Sequence, residues 1–224
     1  MTTKDDETGF EDLLRACHDI AEMFPEGVVF IGGIAVYLHA VNNEAAKPFA
    51  EFTHDADFYI SLADMADLRD LEEVTPNRRL NKHQLIKRGF EFDIYTERHS
   101  ALIVAYDSVV ARAVSYGEFR VACLEHLFAL KLEAYRDRCE SVKGQKDAKD
   151  LVRIALIAGT GNKCFDSNLA APYLGDQHVT LLQRIAKGPE ITAMARGNSK
   201  TAKQLRRYFE KIVAEQVRLQ KESG

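Results

Sequence analysis

The chain lacks the features that mark several large classes of protein. Its four cysteines, Cys17, Cys123, Cys139 and Cys164, include no Cys-x-x-Cys pair. That argues against a zinc site or a disulfide framework and fits reduced thiols in a cytoplasm. No run approaches the ~18 apolar residues of a membrane-spanning helix, so no membrane partner is expected. Residues 1–9 are polar and acidic, without the basic start and apolar centre of a signal peptide. A surplus of positive charge is missing too. With 30 Lys and Arg against 34 Asp and Glu the net charge is −4. That argues against bulk attraction to nucleic acid, though it leaves room for local basic patches. Internal repeats and low-complexity tracts are absent.

What is present is an ordinary globular composition. The chain has 224 residues, 46% hydrophobic and 29% charged, enough for one catalytic domain and a helical one behind it. Phe10, Leu13, Leu14, Cys17, Ala21 and Phe24 recur at helical spacing up to Pro25, which predicts an amphipathic first helix. Residues 28–31 form a short apolar run of the kind found in buried strands. Gly32 and Gly33 follow at once, and residues 34–40 read as a buried helix. Paired glycines between strand and helix leave backbone N–H groups uncovered at a helix N-terminus. Such a turn suits a phosphate chain, or serves only as a tight connection.

Residues 42–51 have no periodicity and read as a loop. Residues 52–60 then alternate, with Ala56, Phe58 and Ile60 toward one face and Asp55, Asp57 and Tyr59 toward the other. Two carboxylates on an open face repel unless a cation lies between them, and all-oxygen donors suit a hard ion such as Mg²⁺. The plainer reading is a half-buried strand with a solvated acidic face. Residues 63–71 read as a surface helix that Pro76 and Asn77 keep from continuing. After an extended run at 83–87 and a turn at Arg88-Gly89, residues 90–95 repeat the alternation. Phe90, Phe92 and Ile94 share one face; Glu91, Asp93 and Tyr95 share the other. If the two strands are neighbours, Asp93 joins Asp55 and Asp57 on one surface.

The basic run Arg78, Arg79, Lys82, Lys87 and Arg88 steers a nucleotide or RNA to that surface, or merely blunts an edge strand. Two short strands are expected between Val109 and Ala122, around Tyr116-Gly117. In the helix that follows, Lys131 falls inside the apolar stripe of Leu124, Leu127, Phe128 and Tyr135. A lysine there snorkels to the rim or points its charge into a cleft. Lys146 and Asp150 stand four apart on the next helix, the spacing of a surface ion pair. From Asp166 onward the pattern is helical, ending in residues 200–221. There Leu205, Tyr208, Phe209, Ile212 and Val213 form the buried stripe. Lys200, Lys203, Arg206, Arg207 and Lys211 form a basic surface, solvated or RNA-holding.

Gly32-Gly33-x-Ala35, Thr53-x-Asp55-x-Asp57 and Asp93 in an apolar strand together resemble the nucleotidyltransferase superfamily of DNA polymerase beta-like fold. Leu130-Lys131-Leu132-x-Ala134 and Lys146-Asp147-x-x-Asp150-Leu151 are similar to the AbiEii/MenT-like nucleotidyltransferase toxins of type IV toxin–antitoxin systems. The match covers roughly residues 28–156. One departure is Glu51, where such proteins often carry an arginine two residues before the threonine.

The resemblance implies an α+β fold: a mixed β-sheet with flanking helices in residues 1–122, the catalytic domain, then a helical domain in residues 123–224. It implies transfer of a nucleoside monophosphate from an NTP to an acceptor hydroxyl, as a cytoplasmic toxin-like enzyme. RNA or tRNA would be the acceptor and an antitoxin protein the partner. Two Mg²⁺ ions held by Asp55, Asp57 and Asp93 would clamp the attacking and leaving oxygens. Gly32, Gly33 and Thr53 would bind the nucleotide. Lys131 would offset phosphate charge, with Asp150 and Asp147 positioning it or the acceptor, and Asp93 would activate the acceptor hydroxyl. The alternatives are an adenylyltransferase acting on an antibiotic-like hydroxyl and a catalytically lapsed nucleotide-binding module.

Overall fold

The structure is a computed structural model that describes residues 4–98, 100–161 and 165–223. The expectations for residues 1–3, Asn162 and Cys164 lie outside the described residues. Contacts divide the chain into two units, Met1–Leu38 with Glu51–Cys123, and His39–Ala50 with Leu124–Gly224.

The first unit is built on a seven-stranded mixed sheet. Helix α1 (Lys4–Met23) ends just before Pro25 and is followed by β1 (Val29–Ile31) and α2 (Gly32–Val41), whose last three residues are counted with the second unit. Then come β2 (Asp55–Ile60), α3 (Leu62–Leu71), β3 (Val74–Asn77), β4 (Lys82–Lys87) and β5 (Phe90–Thr96). Helix α4 (Tyr106–Ala111) and the pair β6 (Val114–Tyr116) and β7 (Phe119–Val121) complete it. The strand order is β3-β4-β5-β2-β1-β7-β6. Strands β2 and β5 run parallel, as do β1 and β7, and the remaining pairs are antiparallel. The α+β expectation is met.

Three phenylalanines hold the middle of this sheet. Phe30, Phe58 and Phe92 sit on β1, β2 and β5 with successive ring centroids 5.8 and 6.2 Å apart, all fully buried. Tilted and edge-on contacts of this kind add to the burial itself. Helix α1 contacts β2 and β7 and buries Leu13, Ala16, Cys17 and Ile20. Burial pushes the Cys17 thiol far up from its ordinary range, so it stays protonated and unreactive. Cys123 and Cys139 are free thiols as well.

Helix α3 stops before Pro76 as expected, and two local details differ. Pro76 itself lies inside a strand, β3. The reason is position, since β3 is an outer strand and a proline there forfeits no ladder bond on its open side. Val109, expected to open a strand, belongs to α4. A short apolar run cannot separate the two periods. At the β4–β5 hairpin, Arg88 and Gly89 take φ of 54° and 85°, the left-handed pair that a two-residue type I′ turn demands.

The second unit is helical: α5 (Leu124–Arg138), α6 (Val142–Thr160), α7 (Ser167–Ala170), α8 (Asp176–Lys187), α9 (Glu190–Met194) and α10 (Ser199–Ser223). Ser141 caps α6 by accepting a 3.0 Å bond from the Gly144 N–H. In α10, Leu205, Phe209, Ile212 and Val213 are buried as expected, whereas Tyr208 is only half-buried. Its ring lies over Gly159, where an added Cβ would come within 2.2 Å of it. Lys200, Lys203, Arg207 and Lys211 are exposed to solvent. Among the described residues no helix is long and apolar enough to cross a membrane.

Candidate active site

The sheet register brings the sequence-singled acids together. Asp57 is the direct partner of Asp93 across the parallel β2–β5 pair, and Asp55 is the partner of Glu91. Residues two apart on a strand share a face. Asp55, Asp57, Glu91 and Asp93 therefore occupy two adjacent rows of one surface, with neighbouring strands ~4.8 Å apart. Asp55 is exposed, and Asp57 and Asp93 are half-buried. The face closes further along. Tyr59, expected on the open side, is fully buried. Its hydroxyl donates to the Val104 carbonyl at 2.5 Å and its ring meets those of Tyr95 and Tyr106.

The glycine turn abuts the acids. Ile31, the last residue of β1, pairs with Asp57, so Gly32 follows beside the Asp57 side chain. Gly32 has φ +65°, and a Cβ there would lie 2.2 Å from Asp57 Oδ2. At Gly33 a Cβ would meet Thr53 Oγ1 at 2.8 Å. Thr53 is itself buried, and its hydroxyl donates to Asp55 Oδ1 at 2.8 Å. Both glycines are thus demanded by close approach, and the electropositive start of α2 faces the Asp57 carboxylate. Gly32→Ala combines a left-handed backbone with a steric overlap. It is expected to lower stability by about 1–3 kcal/mol in a urea titration.

The third carboxylate is already engaged. Lys82 Nζ forms an ion pair with Asp93 Oδ2. Gln84, its register partner on β4, donates from Nε2 to Asp93 Oδ1 at 3.3 Å. Asn77 Nδ2 in turn donates to Gln84 Oε1 at 3.2 Å. The basic run therefore splits. Lys87 pairs with Glu72 and Arg88 with Asp19, while Arg78 and Arg79 are exposed at the β3–β4 turn.

In the second unit, Lys131, Asp147 and Asp150 meet between α5 and α6. The ammonium of Lys131 lies 2.8 Å from Asp150 Oδ2 and 3.3 Å from Asp147 Oδ1. It is 8% exposed, so it neither snorkels nor stands as an isolated charge. Arg138 grips both oxygens of Asp147 at 2.7 and 3.1 Å, and Arg153 pairs with Asp150. Arg153 also donates from Nε to the Phe49 carbonyl at 2.5 Å, which ties the 39–50 segment to α6. Lys131, Arg153, Asp147 and Asp150 are buried in this cluster, Arg138 reaches it from the solvent side, and Lys146 adds its charge near Asp150. Burial alone would raise the Asp150 carboxyl, but Lys131 and Arg153 outweigh it and hold the group below its ordinary value.

No protein-family model matches the chain, and no curated protein does. Solved structures do. A Helicobacter pylori protein provisionally described as a nucleotidyltransferase superposes with a TM-score of 0.50 at 13% identity, covering 97% of this chain and 99% of that one. The fold is nucleotidyltransferase-like. JHP933 from Helicobacter pylori aligns over 99% of this chain and 97% of its own, at 14% identity and a TM-score of 0.49. The polyadenylate synthase of Megavirus aligns over 84% of this chain and 39% of its own, at 12% identity and a TM-score of 0.46.

On this nucleotidyltransferase-like fold the donor set suits a divalent cation in kind. Asp55, Asp57 and Asp93 offer only hard oxygen donors on one face, and Gly32 leaves the space beside Asp57 free of a side chain. Among the described residues no three acidic, histidine or cysteine side chains are yet gathered closely enough to hold an ion. Asp93, drawn to Lys82 and Gln84, is the one held aside. The residues missed in the sequence are Lys82 and Gln84 as partners of Asp93, and Arg138 and Arg153 as partners of the α6 acids. A two-residue turn at Arg88-Gly89 contains the first signal, because it alone places position 84 opposite position 93.

Proposed function

We propose that the chain is a divalent-cation-dependent nucleotidyltransferase that moves a nucleoside monophosphate from an NTP to an acceptor hydroxyl. The observation that supports this reading best is the pairing of Asp57 with Asp93 across β2 and β5, with Asp55 on the same face and Gly32 against Asp57. Asp55, Asp57 and Asp93 hold the cations, Mg²⁺ in this reading. When bound, such ions neutralise charge on the attacking and leaving oxygens of an in-line displacement.

The remaining work falls to the chain itself. Gly32, Gly33 and the start of α2 seat the distal phosphates, with Thr53 keeping Asp55 oriented through its hydroxyl. The acceptor oxygen bonds to the α-phosphorus, the bond from that phosphorus to the bridging oxygen breaks, and pyrophosphate leaves. Asp93 takes the hydroxyl proton. Lys131, oriented by Asp147 and Asp150, is the ammonium assigned to the developing phosphate charge. The acceptor in this reading is RNA, tRNA in particular, and the exposed Arg78 and Arg79 supply the local basic surface it needs. A toxin-like role with an antitoxin partner rests on the resemblance of the Lys131 and Lys146–Leu151 motifs.

Incubation with each labelled NTP, Mg²⁺ and total tRNA is the test. Label is expected in RNA with pyrophosphate released. Absence of transfer with every NTP and every acceptor sinks the enzymatic reading.

A further inference from the structure

We propose that Lys82 is the resident counter-cation of the open-face carboxylates, and that a divalent cation must displace it from Asp93 to load the site. The proposal rests on the reading above, in which these acids hold a cation. It adds a residue that the nucleotidyltransferase-like motifs do not include.

Four carboxylates, Asp55, Asp57, Glu91 and Asp93, occupy adjacent rows of one face. Without positive charge they repel one another. Lys82 supplies such a charge at Asp93 from the neighbouring strand. It is two residues from Gln84, which lies directly opposite Asp93, so its stem crosses to Asp93 as a diagonal neighbour. The Lys82 and Asp93 side chains retain only 11% and 23% of their exposure, which marks a sheltered pair rather than a solvated surface contact. Asp93 Oδ2 takes the ammonium and Oδ1 takes the Gln84 amide. Both oxygens that a metal ion would share are therefore committed.

The consequence is competition. An incoming divalent cation gains the carboxylates only by breaking the ammonium pair, so Lys82 weakens metal binding in the protein without nucleotide. The opposite arrangement, in which Lys82 merely prepositions Asp93 for the ion, has the opposite sign, because loss of the lysine would then weaken binding.

Mn²⁺ binding to the full chain, read from loss of the free-ion EPR signal, separates the two. Lys82→Gln is expected to tighten Mn²⁺ binding by roughly three- to tenfold, the scale of one partly sheltered ion pair. Lys82→Arg keeps the charge and is expected to stay near wild type. Thermal melting in EDTA shows that both variants fold. Equal or weaker Mn²⁺ binding in Lys82→Gln, with wild type binding normally, overturns the role of Lys82 and leaves the transferase reading intact. No Mn²⁺ binding to either protein overturns both.

Discussion

Asp57→Asn is expected to lower nucleotidyl transfer by at least about 10³-fold while leaving the protein about as stable as wild type. The size follows from position. Asp57 is paired with Asp93, stands two residues from Asp55 and abuts the Gly32 turn, so it belongs to every part of the proposed centre. Loss of several kcal/mol of charge stabilisation in the transition state corresponds to about three decades of rate. The neutrality of folding follows from two opposed terms. An asparagine removes repulsion from the neighbouring carboxylates, and it loses a favourable charge at the start of α2, worth about 0.3–1 kcal/mol. Rates with labelled NTP and melting curves on the same samples check both halves. A stable Asp57→Asn protein that transfers label at the wild-type rate would remove Asp57 from the mechanism.

Asp150→Asn is expected to cost about 3–5 kcal/mol of stability, the scale for removing one partner of a buried ion pair. Asp150 is buried between Lys131 and Arg153, so its loss leaves two sheltered cations facing each other. Lys131→Met should cost clearly less, because Asp150 keeps Arg153 and Asp147 keeps Arg138. The pair of variants thus distinguishes roles for Lys131. A phosphate-directed ammonium shows as lost activity in a stable protein, and a purely structural one shows as lost stability with the activity of the folded protein retained.

The pH dependence has a definite sign. Lys131 and Arg153 outweigh burial and hold the Asp150 carboxyl below its ordinary value. The unfolded chain therefore binds its proton first as acid is added. The stability that Asp150 contributes is complete above about pH 4, near the unfolded carboxyl value, and is lost as pH falls through the lower folded value. Urea titrations between about pH 5 and 3 should show wild type losing more stability than Asp150→Asn.

Much of the candidate site's geometry was legible because strands carry it. The period of two in residues 55–60 and 90–96 assigns Asp55, Asp57 and Asp93 to one face, whatever the sheet order. Only the sheet order makes them neighbours, and the parallel β2–β5 pairing is a long-range choice that no local pattern contains. Lys82 was read as part of a basic run rather than as a partner, because charge density along the chain does not reveal which strand lies opposite. On α6, spacing alone offers only Lys146 as the neighbour of Asp150, whereas the motif resemblance links Asp147 and Asp150 to Lys131, which lies against both; neither contains Arg138 and Arg153 as their further partners. The strand β3 around Pro76 was not legible, since a proline fits a strand only where one side has no neighbour.

The claim on which the mechanism depends is that the acids of β2 and β5 form one cation centre beside the glycine turn. A crystal grown with Mn²⁺ and a non-hydrolysable NTP, measured at the manganese edge, addresses it directly. The expected result is an anomalous peak coordinated by Asp55 and Asp57, with Asp93 turned away from Lys82 and the triphosphate against Gly32 and Gly33. Nucleotide bound with manganese elsewhere, or with no manganese at these carboxylates, would contradict it.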